Sequence, residues 1–331
     1  MANKTKYDFI AIGDQTTDAF IKLQEAKVHS IDHGNKLICM RFADKIPYES
    51  VEVVPAVGNA ANAAVCAARL GLKSAFVSNI GDDRNGEEAL AVFKKEKVAK
   101  DFIKVHKGKK SNYHYVLSFK GERTILIKHE TYKYSLPFIG EPKWIYFSSV
   151  GENTLSFHKE VQKYLEKHPK VKLAFQPGTF QMQLGKEKLR GIYRHTELFF
   201  SNKEEAQRIL NTKEGNIKKL LNNLAKLGPK IVVITDGKEG AYVKEGGNYW
   251  FMPIYPDSKP PFERTGAGDA FSSTFTAILA GNGTIEEALL RAPINSMAVV
   301  QKTGARAGLL IKHQLESYLA RAPKSYKPCK I

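Results

Sequence analysis

The chain is poor in cysteine: Cys39, Cys66 and Cys329 are its only 3 in 331 residues, odd in number, far apart and without a CxxC spacing. That excludes a disulfide framework and a structural zinc site, and it fits a reducing compartment. Long hydrophobic runs are lacking as well. The apolar run Tyr7 to Ile12 is too short for a signal-peptide core or a membrane span, so a cytoplasmic protein with no membrane partner is expected. Acidic residues are in deficit: 34 Asp and Glu face 51 Lys and Arg, a net charge of +17 that favours anionic partners. The basic residues are spread along the chain, with no zinc-ligand set, RNP-like aromatic motif or concentrated basic helix, so nucleotides or phosphorylated metabolites are expected rather than nucleic acid. Nothing marks disorder. An apolar fraction of 43% and a charged fraction of 26% are ordinary for a globular protein long enough to bury a sizeable core.

What is present is organised around Arg264-Thr265-Gly266-Ala267-Gly268-Asp269-Ala270-Phe271, a small-residue turn running into an apolar helical segment. Residues with so little bulk let the first backbone N–H groups of a helix approach a phosphate, assisted by the helix dipole. Asp269 falls in the first turn. A carboxylate there repels phosphate but can accept a proton from a hydroxyl that attacks phosphorus, which points to phosphoryl transfer to an alcohol. The competing reading is an aspartate that only complements the dipole.

Buried strands ending in turns and followed by helices recur along the chain, at Tyr7 to Ile12, Ser74 to Ile80, Lys143 to Ser148, Val171 to Gln176, Leu198 to Phe200 and Ile231 to Thr235. The pattern predicts an α/β fold, a doubly wound, mainly parallel sheet flanked by helices. In such sheets ligands bind beyond the C-terminal ends of the strands. Asp14 and Asp18 follow the first strand and could accept hydrogen bonds from a polyol, or only shape the turn. Gly58 opens a helix running to Gly71, whose Asn59 and Asn62 could each hold a diol; capping is the alternative for Asn59. Asn202 and Glu205 could organise the waters of a Mg²⁺ ion or form a helix cap. Thr235 to Gly240 could bind phosphate or ribose through hydroxyl and backbone.

Two stretches break the alternation. Lys36 to Phe42 with Ser50 to Val54, and Tyr113 to Phe119 with Arg123 to Ile127 around Lys120-Gly121-Glu122, read as β excursions from the main sheet. Together they predict a small β lid, residues 17–56 and 111–129, over a main domain of residues 1–16, 57–110 and 130–331. Excluding water during phosphoryl transfer is the use of such a lid.

With these segments in hand, the chain resembles the ribokinase-like, or PfkB, family of carbohydrate and nucleoside kinases from about Asp8 to Leu310. Thr265-Gly266-Ala267-Gly268-Asp269 is the most specific piece; Gly13 to Asp18, Gly58 to Asn62, Gly81 to Gly86, Asn202 to Glu205, Thr235 to Gly240 and Asn295 before Gly304-Ala305 support it. The resemblance implies ATP and Mg²⁺ as cofactors, Asp269 as catalytic base and Gly266, Ala267 and Gly268 as the anion hole. It implies sugar contacts at Asp18, Gly58, Asn59 and Asn62 with Asp14 nearby. Asn202 and Glu205 would arrange magnesium and phosphates, Thr235, Gly237 and Gly240 the nucleotide loop, and Asn295 the surroundings of adenine. A homodimer through the lid is a further implication.

The chain departs from the family at three places. Val57-Gly58 replaces the usual pair of glycines, and a branched side chain there would narrow the substrate entrance. Glu263-Arg264-Thr265 replaces Asp-Thr-Thr, which substitutes the aspartate that helps hold a monovalent cation in cation-activated members and places Arg264 near the phosphates or on the surface. The strand ending at Ser148-Ser149 lacks the ribose-contacting acid of ribokinase unless Glu152 serves. The expectation is an ATP-dependent kinase phosphorylating a primary hydroxyl of a sugar, the alternatives being a nucleoside kinase or a non-catalytic binding regulator on the same scaffold.

Overall fold

The computed structural model describes residues 6–31, 36–257 and 264–331. The chain enters through β1 (Phe9–Ile12), passes into β2 (Thr16–Leu23), and forms β3 (Lys27–Ser30), β4 (Lys36–Cys39) and β5 (Tyr48–Val57) before the first helix, α1 (Asn59–Arg69). β6 (Ser74–Gly81), α2 (Arg84–Lys95) and β7 (Ile103–His106) precede the hairpin of β8 (Tyr113–Phe119) and β9 (Glu122–Leu126). The alternation resumes with β10 (Trp144–Ser148), α3 (Leu155–Lys167), β11 (Lys172–Gln176), the short α4 (Thr179–Leu184) and α5 (Arg190–His195), and β12 (Thr196–Asn202). α6 (Lys203–Leu210), α7 (Ile217–Ala225), β13 (Ile231–Thr235), β14 (Ala241–Glu245) and β15 (Asn248–Met252) follow, then α8 (Ala267–Ala280), α9 (Ile285–Val299), α10 (Lys312–Ala320) and β16 (Cys329–Lys330).

A ten-stranded sheet forms the centre, in the order β16-β15-β14-β13-β12-β11-β10-β1-β6-β7. It is parallel from β7 through β13, and β14, β15 and β16 add antiparallel strands at one edge. Period-two alternation in strands buried on both faces divides their side chains between two cores. Phe9 and Ala11 of β1, with Trp144 and Tyr146 of β10, face the alanine-rich α1 and the helices α8 and α9. Ile10, Ile12, Ile145 and Phe147 face α3 and α7. Small residues permit the closest approach. Ala60, Ala61, Ala63, Ala64 and Ala67 of α1 are fully buried, so the helix start lies directly over the end of β1.

A separate four-stranded sheet, β5-β2-β8-β9, stands over the C-terminal ends of the central strands, with the β3-β4 hairpin beside it. The two excursions are joined by a parallel pairing of β2 with β8. The sequence reading placed only turn residues at 14–18, whereas β2 begins at Thr16. Its polar residues Thr16, Thr17 and Asp18 are buried between the sheets, an environment that local polarity does not reveal.

The end of β1 tolerates no side chain. A Cβ on Gly13 would lie 2.6 Å from Ala60 Cβ and 2.7 Å from the Ser148 carbonyl oxygen. Gly13→Ala is therefore expected to lower the unfolding free energy by about 1–3 kcal/mol, the usual cost of overpacking, as measured by urea denaturation.

Candidate active site

The ends of β1, β11, β12 and β13, the starts of α1 and α8, and the inner side of the second sheet enclose a cleft of about 360 Å³. Asp269 stands in the first turn of α8. Gly266 precedes that helix in the left-handed region (φ 79°), where a Cβ would strike Ala305 Cβ at 2.2 Å. The helix has no side-chain cap, and its first internal bond runs from Ala270 N–H to the Gly266 carbonyl. Gly266, Gly268 and Asp269 line the cleft, and a Cβ on Gly268 would meet nothing within 4 Å. Ala267 does not line it; its carbonyl accepts from Ser296 Oγ. The arrangement leaves amide donors at a helix start beside a carboxylate.

That carboxylate is oriented from two sides. Asn62 Nδ2 donates to Asp269 Oδ2 at 3.0 Å, and Gln176 Nε2 donates to Oδ1 at 3.4 Å. Gln176 is itself oriented, since its Oε1 accepts from Tyr146 and from Ser272 Oγ. Removal from water pushes the Asp269 carboxyl above the usual aspartate range; the two amides and the charge of Arg123 oppose that shift, and the charge of Asp18 adds to it. Desolvation prevails.

The part of the cleft between β1, β2 and the start of α1 holds Asp14, Asp18, Gly58, Asn59 and Asn62, all in the cleft wall. Asp14 is occupied: Tyr134 OH donates to both its oxygens at 2.9 and 2.7 Å, and His129 Nδ1 lies 2.9 Å from Oδ2. Burial raises the Tyr134 phenol far above its usual range, with the Asp14 charge adding to the effect. Asp18 is freer, with His114 Nδ1 at 3.5 Å from Oδ1. Gly58 (φ 108°) is required because a Cβ would press on the Asp14 carbonyl oxygen at 3.0 Å. Val57 does not stand free in the opening; it is 1% exposed and packs with Phe20, Val54 and Val116.

Buried polar atoms without a hydrogen-bond partner concentrate here. Gln15 Nε2 and Oε1, Asp18 Oδ1, Asn62 Oδ1 and His114 Nε2 in that part of the cleft, with Ser201 Oγ and Thr265 Oγ1 nearer α8, all belong to cleft-lining residues. Unpaired buried polar groups are costly, and their convergence suits a ligand rich in hydroxyl groups.

Asn202 and Glu205 form the helix cap that is one of the two sequence readings. They form a reciprocal cap on α6, Asn202 Oδ1 accepting from Glu205 N–H at 2.7 Å and Glu205 Oε2 from Asn202 N–H at 2.9 Å, and both line the cleft. Burial raises the Glu205 carboxyl, and the Asp269 charge raises it further. Among the described residues no group of three or more His, Cys, Asp or Glu could cage a metal. One or two carboxylates facing a phosphate site suit Mg²⁺, which keeps much of its water, and Glu205 with Asp269 nearby fits that requirement.

Thr235 and Arg264 line the cleft, Arg264 exposed beside the glycine turn. Glu263 lies outside the described residues. Gly237 and Gly240 bound a turn after β13 but do not line the cleft; Gly240 is fixed by packing, since a Cβ would meet the Met252 carbonyl oxygen at 2.4 Å. Two expectations need correction. Asn295 is fully buried away from the cleft, its Nδ2 donating to Thr274 Oγ1 and its Oδ1 accepting from Leu310 N–H, so its amide is consumed in joining α8 to α9 and the following chain. Glu152 is exposed and outside the cleft, so it does not replace the missing ribose-contacting acid. Sequence reasoning missed Gln176, His114, Arg123, His129, Tyr134 and Phe180. A strand end followed by Pro177-Gly178 could have singled out Gln176, and period-two alternation in the lid strands could have singled out His114 and Arg123.

The pfkB family carbohydrate kinase profile matches residues 35–312. An uncharacterized sugar kinase of Archaeoglobus fulgidus is 26% identical over 248 residues, which cover 73% of this chain and 96% of that protein. The ribokinase of Bacillus subtilis is 27% identical over 280 residues, 82% of this chain and 89% of that protein. The structure of Arabidopsis thaliana ribokinase complexed with ribose and ATP has the same fold, with a TM-score of 0.77 at 18% identity over 94% of this chain and 98% of that one. The ribokinase-like architecture, the aspartate at the start of α8 and the profile match over most of the sequence agree: the chain belongs to the pfkB family of carbohydrate kinases, phosphotransferases that act on sugar hydroxyl groups.

Proposed function

We propose that this chain transfers the γ-phosphoryl group of ATP, with Mg²⁺, to a primary hydroxyl of a sugar. The observation that carries this reading is the Asp269 carboxylate, held by Asn62 and Gln176 beside the open amides at the start of α8. The acceptor hydroxymethyl lies between Asp269 and the donor phosphate, with its other hydroxyl groups on Asp18, Asn59 and Asn62. As the new O–P bond forms and the bond to the ADP oxygen breaks, the hydroxyl proton passes to Asp269. Transfer is late, because an alcohol is too weak an acid to ionise first. The amides of Gly268 and Asp269 hold the oxygens of the moving group, and Arg264 and Thr235 hold the nucleotide phosphates. Magnesium held near Glu205 and Asn202 supplies charge neutralisation to those oxygens.

Residues 17–56 and 111–129 act as a lid that excludes water. Its outer face exposes Val51, Val53, Tyr115 and Leu126, and a homodimer would cover them. Glu263, where cation-activated members of the family have the aspartate that helps hold the ion, supports turnover without a potassium requirement. Three free cysteines suit a reducing cytosol, and no helix among the described residues is long and apolar enough to cross a membrane. A coupled ADP-release screen over sugars and nucleosides, with and without potassium, tests the reading. Absence of turnover with every acceptor would favour a binding regulator, and turnover confined to nucleosides the nucleoside alternative.

Asp269→Asn is expected to reduce kcat by about 10³-fold, within the usual range for a general base, with the Kd for ATP little changed. The folded-state pKa is raised, so this group's stabilising contribution is present at acid pH and lost as pH rises through the raised value. At neutral pH the ionised carboxyl therefore costs stability, and the variant should melt no lower than the parent in a thermal-shift assay. The same shift places the acid limb of kcat/KM, which reports the free enzyme, above the usual aspartate range, visible in a pH–rate profile.

Glu205→Gln preserves the cap acceptor but removes the charge. The magnesium concentration for half-maximal rate should rise by roughly tenfold in a titration at fixed ATP, while thermal stability is retained.

A further inference from the structure

The basic side chains in the cleft wall are His114, Arg123, His129 and Arg264. His129 is paired with Asp14, His114 lies against Asp18, and Arg264 stands beside the glycine turn that faces the donor. Arg123 is different. It has no hydrogen bond or ion pair among the described residues, although its side chain reaches a cleft containing several carboxylates. Its place is set by the β8-β9 hairpin, in which Arg123 opposes Ser118 and Ile125 opposes Val116. Alternation along β9 and the residue after it sends Arg123, Ile125 and Ile127 toward the cleft wall, where Ile125 is 39% and Ile127 46% exposed, and leaves Leu126 on the outer face. From the lid, the Arg123 charge still acts on the Asp269 carboxyl. The acceptor must occupy the space between them.

Arg123 is exposed, with Ile125 next to it on the inner face of β9 and Ile127 one step further along, and a neutral sugar would offer its guanidinium no counter-charge. Covering the acceptor with the lid would remove water from Arg123 and offer it no counter-charge, an arrangement that costs free energy. An anionic substituent would satisfy it with a planar, two-pronged pair of hydrogen bonds. Resting on the kinase reading above, we propose that the acceptor is an anionic sugar, carrying a phosphate or carboxylate at the end remote from the hydroxyl that is phosphorylated, and that Arg123 binds that group. The apolar faces of Ile125 and Ile127 then cover the sugar carbons and shield the ion pair.

The test compares the full-length protein with Arg123→Gln and Arg123→Lys. Calorimetric Kd values are measured for fructose 6-phosphate, gluconate, fructose, ribose and adenosine, followed by ADP-release kinetics with each. At least one anionic compound should bind the parent protein roughly 30–100-fold more tightly than the neutral sugars, the range expected of a hydrogen-bonded charge pair. Arg123→Gln should collapse that ratio, and Arg123→Lys should restore part of it. Fructose 6-phosphate against gluconate separates a phosphate from a carboxylate. The proposal is overturned if no anionic compound binds better than its neutral counterparts, or if Arg123→Gln moves the nucleotide KM more than the acceptor affinity. Tight anionic binding that depends on Arg123 but gives no ADP release would leave this assignment standing and count against the kinase reading.

Discussion

The site depends on how one partly buried carboxylate at the cleft wall is held. Asp269 is reached by Asn62 from α1 and Gln176 from β11, on opposite sides of a helix start that contributes its own positive potential. These supports come from different parts of the chain, so the geometry exists only when α1 and α8 are packed on the same face of the sheet. Tyr146 extends the arrangement inward: its hydroxyl contacts Gln176 and lies 2.7 Å from Ser272 Oγ, which ties the end of β11 to the second turn of α8. Helix α8 carries Ser272, Ser273, Thr274 and Thr276 in its buried interior, and Ser272, Ser273 and Thr276 return hydrogen bonds to the helix backbone. A polar helix in a core is thus satisfied locally, and only the Asp269 end remains open to chemistry.

Legibility in the sequence followed the range of each interaction. The turn at 266–268 was legible because absent side chains before an apolar helical run are a local signal, and the structure shows why bulk is refused at Gly266, which lies against Ala305. Asn62 was legible because its position in the helix makes capping a poor explanation. The β8-β9 hairpin was legible from Lys120-Gly121, both of which adopt positive φ. Tyr134 and His129 left no comparable local trace, because neither sits at a strand end or in a glycine turn and their partner Asp14 is 120 and 115 residues away in the chain. Asn295 failed for the opposite reason. A polar residue at a matching position drew a functional reading, yet Thr274 and the Leu310 amide consume its hydrogen-bonding capacity within the core.

The chain path also explains why so much of the acceptor end lies in short segments. Leaving β1, it supplies Asp14 before β2 begins, and Asp18 after β2 has joined the second sheet. Returning from that sheet, it supplies Gly58 and Asn59 as β5 gives way to α1. Thr16 and Val57 are paired, so the outgoing and returning segments are neighbours across one ladder. Each crossing between the sheets therefore places a main-domain residue and a lid-side residue a few positions apart.

That placement couples acceptor recognition to the geometry of the second sheet. Asp14 is bound to Tyr134 of the main domain and to His129, which follows β9 and lies outside the four-stranded sheet. Asp18 lies within β2 and is opposed by His114 of β8, so it belongs to the sheet that carries Arg123. A sugar bonded only to the main-domain group would leave the second sheet without a reason to adopt one position. A sugar bonded also to Asp18 and Arg123 joins the two bodies, and each bond made across the gap removes water from Asp269. The same contacts that select the acceptor would then set the low-dielectric environment in which Asp269 takes the proton, so specificity and rate would draw on one set of residues.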